Sequence, residues 1–451
     1  MTPSLQSRLV RFAPALCLGV LLFFVFRLYG FAYFWVDDFN VLHWIQEWSF
    51  LDGVLKILSP SAEHFRPVGV LVYDVAFNLF DLDSRLYHWL AWTIHSLNVA
   101  LVYVVLKRMT GSRSGAAVGA LWFACTPVFN DIFFTFGTIF DLTALPLFLV
   151  GMLLWQWERR SLALVFAVSA VFVLAIKSKE MAITLPAVLL AQDLLLRRPL
   201  LWKETAAVLV PGGAGLWFGL QKLLQMQETN PGDPYYMDLR GIVMGRGFSF
   251  YFDSLFDLGL RWQVWSIAFV AVLLVFLVLR WRLAAFFQIY VFMTFLPVIF
   301  LVNHRFAFYW YLPMVGVCGL AALAVKAATE KLLQYLPPER AVPCACVTFA
   351  LLCAGNYVYF EKATEGSRNF GQKVAADFRA LIESLQALPP PGRGETIFFN
   401  SLPEYFDEGL LQNAVQLALR RDDVGVRVVK EFPSEARYRL ELENARAVMP
   451  R

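Results

Sequence analysis

The sequence predicts an all-α protein that crosses a membrane many times and ends in a small α/β appendage. Three observations carry that prediction. Of 451 residues, 59% are hydrophobic and 16% charged, where a soluble domain carries about 25% charged residues. Apolar runs of bilayer length recur, the first from Phe12 to Val36 with Arg27 its single charge. The charge is also uneven: 27 of the 74 charged residues fall in the last 91 positions. A net charge of +4 is too small to indicate a nucleic-acid partner.

About eleven spans are predicted, over 12–36, 87–106, 115–130, 139–157, 161–176, 181–196, 204–224, 263–279, 283–302, 306–325 and 341–360. Basic residues orient them. Arg8, Arg11, Lys107, Arg108, Arg113, Arg159, Arg160, Arg197, Arg198, Lys203, Arg280, Arg282, Lys326, Lys331 and Arg340 all fall on one side. The opposite side has Lys56, Arg66 and Arg85 in the loop 37–86 and few others. The N-terminus is therefore expected in the cytoplasm, and the C-terminus outside, in a periplasm or lumen; a bacterial inner membrane is the expected setting. The first run is too long for a signal-peptide core and reads as an uncleaved anchor. All six cysteines lie in apolar runs, which argues against a disulfide framework. Gly212-Gly213 reads as a site of close helix packing.

The charge shift places a domain boundary near Phe360, giving a membrane domain 1–360 and an extracytoplasmic domain 361–451. In the second, 368–387 reads as a helical stalk, 395–400 and 425–430 as strands and 403–421 as an amphipathic helix.

Chemistry is expected at the outer face, where polar residues gather. Asp37 and Asp38 follow the first span directly. The loop behind them carries Val41, Leu42, Trp44, Ile45 and Trp48, the pattern of an interfacial helix, and then His64-Phe65-Arg66-Pro67. His88, His95 and Asn98 share one face of the second span. They suit either a site, best at His88, or interhelical hydrogen bonding. Asp131 and Asp141 add two outward carboxylates, Asp131 being the preferred one of the two. Lys177-Ser178-Lys179-Glu180 and His304-Arg305 break the positive-inside trend. Snorkelling lysines would explain the first of these; a fixed cationic site for a lipid phosphate would explain both. Arg240 and Arg246, in the outer loop 225–262, are weaker candidates.

In order along the chain, these residues resemble the GT-C superfamily of multi-spanning glycosyltransferases, most closely the protein O-mannosyltransferase-like branch that includes the TMTC proteins. The resemblance covers roughly residues 30–325. It rests on Asp37-Asp38, Arg66-Pro67, the His88…His95-x-x-Asn98 pattern, Phe123-Ala124-Cys125-Thr126-Pro127-Val128 followed by Asp131 and Asp141, Ser178-Lys179-Glu180-Met181-Ala182-Ile183-Thr184, and Tyr311-Leu312-Pro313-Met314-Val315-Gly316. The chain departs from that pattern at Phe129 and at Phe136-Gly137-Thr138, and it carries no tetratricopeptide array.

The resemblance implies transfer of a sugar, mannose or another hexose, from a polyprenyl-phosphate carrier to an acceptor hydroxyl of a protein, glycan or lipid. Asp37 or Asp38 would serve as general base, with family precedent favouring Asp37. Lys177, Lys179, Arg305 and Arg66 would stabilise the leaving phosphate, with His64, His88, Glu180 and His304 in support. A monophosphate donor needs no metal, although four outward carboxylates are also the oxygen ligands a divalent cation takes. Two other classes compete: a flippase for a lipid-linked sugar, and an inactive scaffold relative. Charge gathered at one surface, without internal repeats, favours the enzyme.

Overall fold

The computed structural model describes residues 5–448 apart from 63, 158–160, 198–199, 201, 227–229, 336–337, 403–404, 435 and 444–445. Arg159, Arg160 and Arg198, used above to orient the chain, lie outside the described residues.

The first helix, α1 (Leu5–Leu28), gives way to an extended turn, and Val36 opens α2 (Val36–Trp44). Asp38, the third residue of α2, reaches back to accept the Trp35 N–H at 2.7 Å, satisfying one of the free donors of the helix start. The segment after α1 is thus not a linker but a run of three short helices, α2, α3 (Phe50–Leu58) and α4 (Pro67–Phe80). Ser49 and Asp52 close a reciprocal capping box on α3. Pro67 starts α4, where its missing N–H costs nothing. Arg66 before it sits at φ 38°, a left-handed conformation that is costly for a residue with a Cβ.

α5 (Ser84–Thr110) begins at Asp83, whose carboxylate accepts the Arg85 N–H, and stops at Gly111 with φ 70°. α6 (Arg113–Ala124) is capped by Ser112 and is followed across Pro127 by α7 (Asn130–Phe134). α8 (Ile139–Trp155), α9 (Leu162–Ser178) and α10 (Leu185–Leu196) follow, then α11 (Trp202–Ala206), α12 (Leu209–Met226) and α13 (Gly241–Phe256). α14 (Trp262–Val278), α15 (Arg282–Ile299), α16 (Met314–Leu333) and α17 (Pro338–Ala363) complete the bundle.

Among the described residues, four helical stretches are long and apolar enough to cross a membrane: Ser84–Thr110, Phe136–Trp155, Trp202–Gln225 and Arg282–Ile299. The pair Arg113–Ala124 and Pro127–Phe134, bent by 46°, makes a fifth, and Ala15–Leu28, Pro67–Phe80, Leu162–Ser178 and Trp262–Val278 are shorter apolar helices. Polarity is distributed as lipid demands. Leu162, Phe166, Leu209, Ile267 and Val278 are exposed, whereas Asp38, Arg66, His95, Asn98, Asp141, Lys177 and Lys179 are buried. The chain is an integral, multi-pass membrane protein.

Small residues set the closest helix contacts. A methyl group on Gly115 would stand 2.3 Å from the Ala322 carbonyl oxygen, and one on Gly119 would stand 2.8 Å from that of Cys318, so α6 and α16 meet backbone to backbone. Gly212-Gly213 has no such role, correcting the expectation. A methyl on Gly213 would meet nothing within 4 Å, and one on Gly212 only Pro186 at 4.0 Å.

Beyond α17, α18 (Glu365–Gln386) precedes β1 (Thr396–Phe399), α19 (Glu408–Leu419), β2 (Gly425–Val428), β3 (Tyr438–Glu443) and β4 (Arg446–Val448). The strand order is β2-β1-β3-β4, with β1 parallel to β2 and β3, and β3 antiparallel to β4. α19 is the crossover that two parallel neighbours require. This unit packs on α2. Phe39 meets Phe378 and Phe406 at ring separations of 5.7 and 5.9 Å, and Asn413 donates to Asn40 at 2.8 Å. Arg420 pairs with Asp81, both in the left-handed region.

Candidate active site at one end of the bundle

α4 organises the site, because its start and its middle hold two clusters. Tyr73 donates to Asp38 Oδ1 at 2.6 Å. Seven residues earlier, at the N-cap of α4, Arg66 donates through Nε to both Glu180 oxygens, at 3.0 and 3.2 Å. Seven residues of helix rise roughly 10 Å. Phe140 spans the interval, packing on Tyr73, Phe65 and the Arg66 guanidinium.

At the acidic end the pair is divided by burial. Asp38 is 0% exposed and spends both oxygens on Tyr73 and Trp35, whereas Asp37 is exposed. Burial pushes the Asp38 carboxyl up to about 7 against its two hydrogen bonds, and the Asp37 charge adds to the rise. Gly137 is the residue against this pair: a methyl there would lie 3.6 Å from Asp38 Oδ1 and 3.8 Å from Asp37 Cβ.

At the cationic end Lys179 is 5% exposed and forms an ion pair with Asp141 at 3.0 Å. Lys177, 3% exposed, donates to the Ser61 carbonyl oxygen. Neither lysine snorkels. Burial, then the Arg66 charge, lowers Lys179, and the carboxylates of Asp141 and Glu180 oppose that. Burial favours a neutral Glu180, but Arg66 and Lys179 overcome it and hold the group below the usual carboxylate range. The Lys179 ammonium stands 5.0 Å from the Tyr309 ring centre. The His304 ring packs on Tyr235 at 4.5 Å, tilted by 42°. Burial, reinforced by Lys179 and Arg66, pushes His304 down to about 4, so it is neutral at pH 7. Tyr235 lies close enough to feel Arg66, Glu180 and Asp37, linking the two ends.

Of the residues singled out in the sequence, the fold brings together Arg66, Lys179, Glu180, Asp141 and His304, with Lys177 alongside. It does not bring Arg305, whose Nε donates to the Leu301 carbonyl oxygen and whose nearest electrostatic neighbours are Tyr251 and Arg246. Asp131 lies beside Asn130 and Tyr29, so Asp141, the lower-ranked acid, is the one that joins the cations. His64 is half-buried in the turn leading to Arg66. His88 meets the Tyr33 carbonyl oxygen at 3.2 Å, against α1. His95 and Asn98 serve as interhelical hydrogen bonding: Asn98 donates to the Tyr311 hydroxyl at 3.0 Å, and His95 bridges Tyr311 at 2.9 Å and the Ala124 carbonyl oxygen at 3.0 Å.

Sequence reasoning passed over Tyr73, Lys222, Tyr235 and Tyr309. Lys222, which acts electrostatically on Glu180 and Arg66, had a signal: it is a further cation at the outer end of a span. The tyrosines had none, since a tyrosine in an apolar run reads as core. Among the described residues no three His, Cys, Asp or Glu side chains converge as a metal site would require.

The fold, a helical bundle with a C-terminal α/β unit packed on it, is similar to that of two solved ArnT structures. ArnT from Cupriavidus metallidurans bound to undecaprenyl phosphate superposes with a TM-score of 0.55 at 15% identity, over 91% of this chain and 85% of that one. Its apo state gives 0.51 at 14% identity, over 92% and 85%. The Archaeoglobus fulgidus oligosaccharyltransferase tethered with an acceptor peptide matches more loosely, at 0.44 and 14% identity, over 80% of this chain and 55% of that one. No family profile and no curated protein matches the sequence.

Proposed function

We propose that the protein transfers a sugar, mannose or another hexose, from a polyprenyl-phosphate carrier to an acceptor hydroxyl of a protein, glycan or lipid at the outer face of a bacterial inner membrane. One observation carries this reading. Two buried cations, Arg66 and Lys179, share the outer end of the bundle with a carboxylate pair, and one helix spans the interval between them. That is the charge layout needed to stabilise a departing phosphate on one side of an anomeric carbon while a base takes a proton on the other. The fold of ArnT, which holds undecaprenyl phosphate, supports a polyprenyl phosphate here. The order of motifs favours the O-mannosyltransferase-like branch.

Within the pair the roles differ. Asp37 has exposed oxygens and is the base. Asp38, hydrogen-bonded on both oxygens, fixes the start of α2 and hence where Asp37 points. The reading also takes all eleven spans as crossing, the shorter apolar helices included, with the N-terminus cytoplasmic and residues 361–451 a separate outer domain.

Transfer is measured in reconstituted vesicles offered a panel of polyprenyl-phosphate sugars. Asp37→Asn is expected to lose about two orders of magnitude in turnover with donor binding retained. Near-wild-type transfer by Asp37→Asn would remove Asp37 as the base.

A further inference from the structure

The outer ends of α1 and α5 splay to leave a cavity of about 350 Å³ that takes no part in the cluster above. Its lining includes Phe26, Arg27, Arg85, His88, Trp89 and Trp92. On each helix the lining residues repeat at intervals of three and four, so two facing helical stripes build the walls. Phe26 stacks on Trp92 at 5.0 Å and 7°, which gives an aromatic floor. Trp89 is exposed at the lipid-facing side. The cations sit at the helix ends, Arg27 in the last turn of α1 and Arg85 in the first turn of α5. Arg85 donates to both oxygens of Asp83, at 2.8 and 2.9 Å, which leaves the rim one net positive charge.

His88 supplies the most specific feature. It is 1% exposed, its Nε2 faces the Tyr33 carbonyl oxygen, and its Nδ1 is buried with no partner. A carbonyl oxygen only accepts, so Nε2 carries the proton and Nδ1 is left as an acceptor. Leaving a buried acceptor unpaired is costly.

We propose that this cavity is a binding site for an anionic phospholipid of the outer leaflet, with a phosphodiester at Arg27 and Arg85, acyl chains along Phe26, Trp89 and Trp92, and a head-group hydroxyl donated to His88 Nδ1. Phosphatidylglycerol has this chemistry: one negative charge offsets the one net positive charge of the rim, and its glycerol hydroxyls are donors. Phosphatidylcholine has no net charge and no head-group donor. The site does not depend on the transferase reading.

The test is native mass spectrometry of the detergent-purified full chain titrated with phosphatidylglycerol or phosphatidylcholine. Wild type is expected to retain one phosphatidylglycerol about tenfold more tightly than phosphatidylcholine, the scale of one charge-assisted hydrogen bond. Arg27→Gln, at an exposed position where folding is undisturbed, should reduce that retention to the phosphatidylcholine level, and Trp89→Ala should weaken both lipids. Lys331→Gln, which removes an exposed cation outside this lining, should leave retention unchanged. Equal retention of the two lipids by wild type, or undiminished phosphatidylglycerol retention by Arg27→Gln, would overturn the proposal. So would displacement by millimolar glycerol 3-phosphate, which would mark a soluble phosphate site, or a loss in Lys331→Gln matching that in Arg27→Gln.

Discussion

At the residue scale the outer site turns on two buried ionic arrangements. Lys179 and Asp141 have left water together, and each compensates the other. Removing one partner of such a pair costs about 3–5 kcal/mol, because a buried charge is stranded, while replacing both by apolar residues of similar volume is often neutral. Lys179→Met alone should therefore lower the unfolding temperature in detergent, and Lys179→Met with Asp141→Leu should restore it without restoring transfer. Full recovery of transfer by the double variant would show that the pair is purely structural. Asp38 yields a pH dependence. Its carboxyl titrates near 7 when folded and near 3.9 when unfolded, so the folded state binds the extra proton between those values. Its contribution to stability is complete below about pH 4 and is lost as pH rises through about 7. Thermal melts from pH 5 to 8 should fall with rising pH in the wild type, and Asp38→Asn should flatten that slope.

At the scale of elements, helix α4 and the α6–α16 contact matter most. α4 sets the distance from cations to carboxylates, because Arg66 caps its start and Tyr73 lies two turns further along it. Arg66 has a left-handed backbone where its position before Pro67 alone would favour an extended one. The α6–α16 contact depends on Gly115 and Gly119, one turn apart, each against a carbonyl that cannot move aside. Gly119→Val is expected to destabilise the protein by about 1–3 kcal/mol through overpacking. An equivalent Gly213→Val, where nothing lies within reach, should change the melting temperature little. Equal effects at the two positions would mean that α6 and α16 can separate without loss.

For the whole molecule, the packing of the C-terminal unit on α2 is a constraint on topology that is independent of basic-residue counts. Phe378, Phe406 and Asn413 touch α2 beside the acidic pair, so residues beyond α17 must lie on the same side of the membrane as Asp37. Reporters fused after Val36 and at Arg451 should both score as exported, and one in the Lys107–Arg113 loop as cytoplasmic. Opposite scores for Val36 and Arg451 would break that packing.

Sequence alone determined the helical, membrane-embedded class, since hydropathy and charge asymmetry act locally and accumulate along a chain. It also located most of the outer cluster: Asp37, Asp38, Arg66, Lys179 and Glu180 are anomalous charges beside apolar runs, and such anomalies show in one dimension. Only the tertiary structure decided which charges meet. Asp141 rather than Asp131 joins Lys179, Arg305 turns away to Leu301, and His88 lines a different cavity. Tyr73 and Tyr235 join the site with no sequence signal, as Gly115 and Gly119 join the core contact. Pairing across the bundle depends on helix rotation and on close approaches set by side chains hundreds of residues apart. No local property of the chain encodes those.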